Sequence, residues 1–290
     1  MFIREKRISC GWYMETDLIP RTDNAERAVR GKRSKKKRLS RPSQDNLNDK
    51  NSARYCSLLA NGNFRNKKDY WLTLTYDLKY MPKNQEEAEK QVRNFIRRLK
   101  DQYKKIKQEL KYILVTEYRE DEETGELSHF HHHLIINGVL SRDAVEDTWS
   151  TGRGKKKTTL GRANCQMLQF SEEGIADLAH YISKSRFGKR GRKKWSSSRN
   201  LKRPYIQSND YKFTPAQIEA MAASNDNGAD KLMKIYDRYF ITEIAAKNYD
   251  QTGWHLYLRM WRNKEVPWVT EYQREQIQEN RIKKFLNQKE

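Results

Sequence analysis

Long apolar runs are missing from this chain, and their absence narrows its class before any motif is read. Only 36% of its 290 residues are hydrophobic, and no segment approaches the roughly 18 consecutive apolar residues of a membrane-spanning helix. The core is therefore modest. Cysteine is scarce as well: Cys10, Cys56 and Cys165 are odd in number and widely spaced. They fit neither a disulfide framework nor a zinc-finger spacing, so a reducing, cytoplasmic compartment is expected. Met1 to Pro20 is charged throughout and lacks the apolar centre of a signal peptide. No Gly-x-x-x-x-Gly-Lys-Ser/Thr loop occurs, which removes a nucleotide-driven motor of that type.

Basic charge is what the chain has in excess. Lys and Arg total 59 against 38 Asp and Glu, a formal net charge of +21. Such a balance speaks of partners, and the usual partner is nucleic acid, through neutralised phosphates and released counterions. An anionic membrane surface is the competitor, weakened because no basic amphipathic helix stands out. The charge is also clustered. Arg30 to Arg41 holds eight basic residues in twelve, and Lys184 to Arg203 holds ten with no acid. The first reads as a nucleic-acid-binding or merely solubilising arm. The second, with Phe187 and Trp195 interleaved, reads as a phosphate-tracking stripe with stacking platforms, carried by Arg186, Lys189, Arg190, Arg192, Lys193, Lys194, Trp195 and Arg199.

Periodicity places the elements. Asn46 to Asn63 reads as a helix stopped by Asn61-Gly62-Asn63. Tyr70 to Tyr76 alternates as a strand. From Glu86 to Leu110 apolar residues recur every three or four positions, a helix pattern. Lys111–Tyr118 and the run ending His131-His132-His133-Leu134-Ile135-Ile136 read as strands. Ser141–Trp149 suggests a short helix capped by Ser141, and Thr151–Gly161 a basic glycine loop. Arg162–Phe170 reads as a strand and Ile175–Lys184 as a helix. Further on, Thr214-Pro215-Ala216-Gln217 has the form of a capping box. It opens a helix to about Ala223, followed by a second over Lys231–Lys247 and a strand over Gly253–Trp261. The sum is an α+β fold: a central, mainly antiparallel sheet with helices on one face. The expected divisions are a basic N-terminal arm and helix over 1–60, a core over 61–190, and a basic accessory region of small α/β type over 191–290.

The histidine run carries the chemistry. On a strand His131 and His133 share a face, roughly 6.6 Å apart along the chain, and imidazoles so placed can converge on one divalent ion. Exposed histidines on a loop are the alternative. Glu117, on the neighbouring strand, is the expected third ligand. One carboxylate with two imidazoles suits Mg²⁺ or Mn²⁺ with phosphate as substrate, because coordination positions stay open for its oxygens. His129 falls on the same face and is a rival ligand; His132 points away and reads as packing. Tyr181 and Lys184, three apart on a helix, share a face. Beside a polarised phosphate a tyrosine hydroxyl becomes a competent nucleophile, and Lys184 can order the site or stabilise phosphate charge.

Taken in order, Trp71-Leu72-Thr73-Leu74-Thr75-Tyr76, His131-His132-His133 with its aliphatic tail, and Tyr181-Ile182-Ser183-Lys184 resemble the three motifs of the HUH endonucleases. The likeness is in particular to the rolling-circle replication initiators of small plasmids and phages. It covers about Asn63 to Lys189 and departs at His132, where the family has an apolar residue. It implies metal on Glu117, His131 and His133, and attack by Tyr181 on single-stranded DNA at an origin. A 5′-phosphotyrosine link and a free 3′-hydroxyl for priming result. The position a turn after Tyr181 is Ser185, so the enzyme is expected to be of the single-tyrosine type, leaving the second transfer to another subunit or to water. Host helicase and polymerase are implied partners, an oligomer is left open, and no membrane is expected. The same chemistry would serve a transposase or relaxase. A non-catalytic nucleic-acid-binding regulator and a water-using, metal-dependent hydrolase are the rivals from other classes.

Overall fold

The computed structural model describes residues 1–29, 42–120, 127–152, 154–170 and 195–266. They fall into two compact units, one within Met1–Asn48, Phe170–Gly174 and Lys202–Glu290, the other within Asp49–Gln169 and Ile175–Leu201. These units interleave in sequence, unlike the three consecutive regions read from composition. The strands of the first unit are β1 (Phe2–Cys10), β2 (Tyr13–Arg21), β10 (Tyr205–Asn209), β11 (Tyr239–Tyr249) and β12 (Gly253–Arg262). Those of the second are β3 (Tyr70–Thr75), β4 (Tyr112–Glu120), β5 (Leu127–Ile136), β8 (Ala163–Met167) and β9 (Trp195–Ser197), with a small two-stranded sheet of β6 (Ser150–Thr151) and β7 (Thr158–Thr159) where a loop is expected.

In the second, central unit the sheet order is β8-β3-β5-β4-β9, antiparallel throughout. The α+β class expected from the sequence is the one observed. One face is apolar. Leu72, Leu74, Leu114, Leu134 and Ile136 pack against Val92, Phe95, Leu99 and Tyr103 of helix α3 (Gln85–Lys105) and Val145 of helix α4 (Arg142–Glu146). Helix α3 forms because its apolar stripe repeats at helical spacing and Asn84 caps it, accepting from the Glu87 N–H at 2.9 Å. It ends five residues before the expected Leu110: Lys107 adopts φ 55°, and the chain turns into β4. Gly138 follows β5 because nothing larger fits there: a Cβ would lie 2.0 Å from the Lys68 carbonyl oxygen.

In the first, accessory unit the order is β10-β1-β2-β12-β11. Helices α5 (Pro215–Ala222) and α6 (Ala229–Ile235) contribute Ile218, Met221 and Leu232 to a core with Ile3, Met14, Leu18, Leu256, Leu258 and Met260. The capping box at Thr214 is formed in full, with Gln217 answering and Pro215 inside the first turn. Two expectations are corrected. The stretch 231–247 is not one helix: α6 stops at Ile235, and Tyr239-Phe240-Ile241-Thr242, aromatic and β-branched, starts β11. Residues 1–60 are not all arm and helix: Phe2–Arg21 is a hairpin, and its charges are paired. Arg4 meets Glu26 and Asp210 at 2.6 Å each, and Glu5 meets Lys212 at 3.0 Å. Helices α1 (Asp23–Val29) and α2 (Pro42–Asn63) follow. The basic run Arg30–Arg41 lies outside the described residues, as does the expected helix Ile175–Lys184.

Candidate metal centre

The face of the central sheet opposite α3 holds the polar cluster. Register fixes it: on β5, His131 stands between Glu117 of β4 and Thr75 of β3, and His133 between Val115 and Thr73. Directly opposed residues of an antiparallel pair share a face, so Glu117, His131, His133 and Thr73 converge. His131 Nε2 lies 2.9 Å from Glu117 Oε2, and His133 Nε2 lies 3.5 Å from the same oxygen. The two rings are perpendicular with centroids 5.2 Å apart. One ligand atom from each residue falls within 4.8 Å of the others.

Each imidazole is aimed by a second contact. His131 Nδ1 donates to the His129 carbonyl at 3.0 Å, so its proton sits on Nδ1 and Nε2 is the coordinating atom. His133 Nδ1 meets the Thr73 hydroxyl at 3.2 Å, and the ring stacks on Trp71 with centroids 5.5 Å apart. Thr73 was not singled out from the sequence. Its signal is the Thr-Leu-Thr alternation of β3, which puts Thr73 and Thr75 on the histidine face. Burial alone would push the Glu117 carboxyl up, but the hydrogen bonds with His131 and His133 outweigh it and bring it down to about 2. The same contact with Glu117 raises His131.

His129 departs from its expected place. Its φ is 52°, and the ladder slips between Glu117 and Arg119, with two residues of β5 facing one of β4. This bulge takes the His129 ring out of phase with the ligands. The ring meets Ser128 Oγ at 2.9 Å, and it is the backbone carbonyl that serves the centre. His132 faces the core, as alternation predicts, and is fully buried. Its Nε2 lies 2.7 Å from the Tyr76 hydroxyl and its Nδ1 2.8 Å from the Thr116 hydroxyl. Burial, then repulsion from His131 and His133, lowers it to about 3, so it stays neutral.

Glu117 and His133 are each 7% exposed, whereas the His131 side chain is open to solvent at 33%, which gives the centre its entrance. Two imidazole nitrogens with their far sides engaged, plus one ionised carboxylate, suit a divalent cation that keeps positions for oxygen ligands. Such a cation fits the residues present. Of the remaining expected site residues, Trp195 is half-buried in β9 opposite Val115. Its Nε1 donates to Ser52 at 3.0 Å, and it stacks on Tyr55 with centroids 6.0 Å apart. Arg199 is exposed. Tyr181, Lys184, Arg186, Lys189, Arg190, Arg192, Lys193 and Lys194 lie outside the described residues. No helix among the described residues is long and apolar enough to cross a membrane.

Searches among curated proteins and among solved structures return no match. A family model does match: residues 69–186 fit the replication-associated protein ORF2 family, a segment that holds the whole Glu117–His131–His133 cluster and is consistent with a rolling-circle replication initiator.

Proposed function

We propose that the protein nicks and rejoins one strand of DNA at a replication origin through a 5′-phosphotyrosine intermediate, starting rolling-circle replication of a plasmid or phage. The observation that carries this reading is the convergence of Glu117, His131 and His133 within 4.8 Å inside the segment matched by the replication-associated family. Mg²⁺ or Mn²⁺ held by these three residues would supply a Lewis acid to the scissile phosphate. The chain supplies the rest. Thr73 and the His129 carbonyl hold the imidazoles in the coordinating tautomer, and His132, bound to two hydroxyls behind them, locks the strand.

Tyr181 is the proposed nucleophile. Its Oη–P bond forms as the P–O3′ bond breaks. The phenol proton is lost, and the departing 3′-oxygen takes up a proton to become the primer hydroxyl. Lys184 balances charge on the phosphate. The basic residues from Arg186 to Arg199, Trp195 among them, hold the single strand, and host helicase and polymerase extend the reaction. One tyrosine leaves the closing transfer to a second subunit or to water.

A trapping assay tests this. Wild type and Tyr181→Phe meet single-stranded oligonucleotides tiling the DNA around the gene, with Mn²⁺ or with chelator. A denaturation-resistant protein–DNA band is expected from the wild type with metal alone. Metal-dependent cleavage with no such band would replace the tyrosine by water, and binding with neither would make the protein a regulator.

A further inference from the structure

A second feature of the central unit lies at the other end of β4. There a surface cavity of about 590 Å³ is walled by Lys100 and Lys104 of α3, Tyr112 of β4, Ser197 of β9, and Arg199 and Asn200 beyond it. We propose that this cavity binds the phosphate backbone of single-stranded nucleic acid, as an anchor separate from the metal centre. The inference rests on the nucleic-acid part of the reading above and not on its tyrosine chemistry.

Charge is the first argument. Three cations face the cavity, and the one acid in its lining, Glu109, already accepts a hydrogen bond from Asn200 Nδ2 at 3.0 Å. Lys104 and Arg199 have no ion-pair partner among the described residues. Lys100 has its ammonium 5.7 Å from the Tyr112 ring centroid. Lysines four apart on a helix repel each other. The C-terminal dipole of α3 accounts for Lys104, but Lys100 stands a turn earlier and Arg199 on another element. An anion between them relieves all three.

Shape is the second. The walls are built before any ligand arrives. Ser198 Oγ accepts from the Tyr112 N–H at 3.1 Å, the Ser198 N–H donates to the Tyr112 carbonyl at 2.9 Å, and Asn200 Nδ2 also reaches the Leu110 carbonyl at 3.3 Å. Tyr112 is half-buried, so its ring is a fixed flat wall against which a base or sugar can lie. The volume is that of a nucleotide-sized site. Position favours a polymer over a free nucleotide. Tyr112 and Glu117 lie on one strand, about 17 Å apart at about 3.3 Å per residue, with side chains on opposite faces. A strand leaving the metal centre and passing the β9 edge, where Trp195 stacks on Tyr55, meets this cavity next.

The test is the triple variant Lys100→Gln, Lys104→Gln, Arg199→Gln, all three residues being exposed and free of structural contacts the fold needs. Binding of a long oligo-dT is followed by fluorescence anisotropy across a salt series in chelator, with Mn²⁺ affinity as a control on the metal centre. Loss of three phosphate contacts should flatten the slope of log K against log salt by about 2, at about 0.7 per phosphate for single strands, with Mn²⁺ affinity unchanged. An unchanged slope and affinity would overturn the proposal. So would wild-type binding of dAMP or inorganic phosphate that the variant loses while its oligo-dT slope stays intact, since the cavity would then serve a free nucleotide. The covalent band is scored in parallel. Its absence from the wild type would sink the nickase reading yet leave the slope comparison standing, and its presence beside an unchanged slope would sink the anchor alone.

Discussion

Both five-stranded sheets bury a carboxylate near their middle, and only one of the two makes a metal centre of it. Glu5, fully buried in the accessory sheet, faces the Lys212 ammonium at 3.0 Å and the Tyr236 hydroxyl at 2.6 Å. Burial and Glu5 together hold that phenol protonated. The partners of Glu5 keep their protons at any ordinary pH, so the charge is neutralised once and for all. Glu117, 7% exposed in the central sheet, faces two imidazoles instead. Those bases surrender their protons near neutrality and present lone pairs. What turns a buried acid into a site is thus the kind of base set across from it, not the burial.

Exchanging the acids is the sharpest way to test that contrast. Glu117→Ala or His133→Ala should cost more than the roughly 10–100-fold in metal affinity typical of outer-shell partners, as read by Mn²⁺ titration in EPR. Glu5→Ala should leave that affinity where it is and instead destabilise the fold by about 3 kcal/mol, the low end for breaking a buried ion pair, because Lys212 is itself 31% exposed. Urea unfolding measures the loss. If Glu5→Ala also weakened Mn²⁺ binding, the two carboxylates would not be doing separate jobs.

Smaller effects refine the comparison. Thr73→Val removes the hydroxyl that orients His133 while keeping the strand. Metal affinity should fall about 10-fold, the low end of the outer-shell range, with little change in thermal midpoint. The smallest effect belongs to the accessory unit. The hydrogen bond from Arg4 lowers the Asp210 carboxyl. A depressed carboxylate contributes stability that is present above its unfolded value of about 3.9 and is lost as pH falls through the folded value. Thermal midpoints measured from neutrality into acid should therefore drop below about pH 3.9, and Arg4→Gln should make that drop shallower.

The central sheet was legible in the sequence because its elements obey single periods. Tyr70 to Thr75 alternates, α3 repeats at helical spacing, and the aliphatic tail of the histidine run fixes the phase of β5. Those phases sufficed to bring Glu117, His131 and His133 together. The accessory sheet was not legible. In β1 and β2 the inward positions include Glu5, Thr16 and Asp17, and the outward ones alternate poorly with them, so no apolar rhythm marks the hairpin. Its strands find partners some two hundred residues away, such as Ile8 against Ile206. Strand β9 hid inside a basic stretch for the same reason: three residues paired to β4 leave almost no local pattern. The bulge at His129 was equally hidden, since a left-handed histidine has no signature in the sequence.

That bulge has a consequence for how the chain tolerates insertions. A strictly alternating strand passes any gained or lost residue along its whole length, turning every later side chain to the opposite face. The irregularity between Glu117 and Arg119 sits between the β4–β5 connection and the ligands, and there the shift can be absorbed. His131 and His133 take their phase from Thr75 and Thr73 on one side and from Glu117 and Val115 on the other. The hairpin tip is thus insulated from the ligands: its length and sequence can drift, and with them whatever it touches, without retuning the chemistry a few residues downstream.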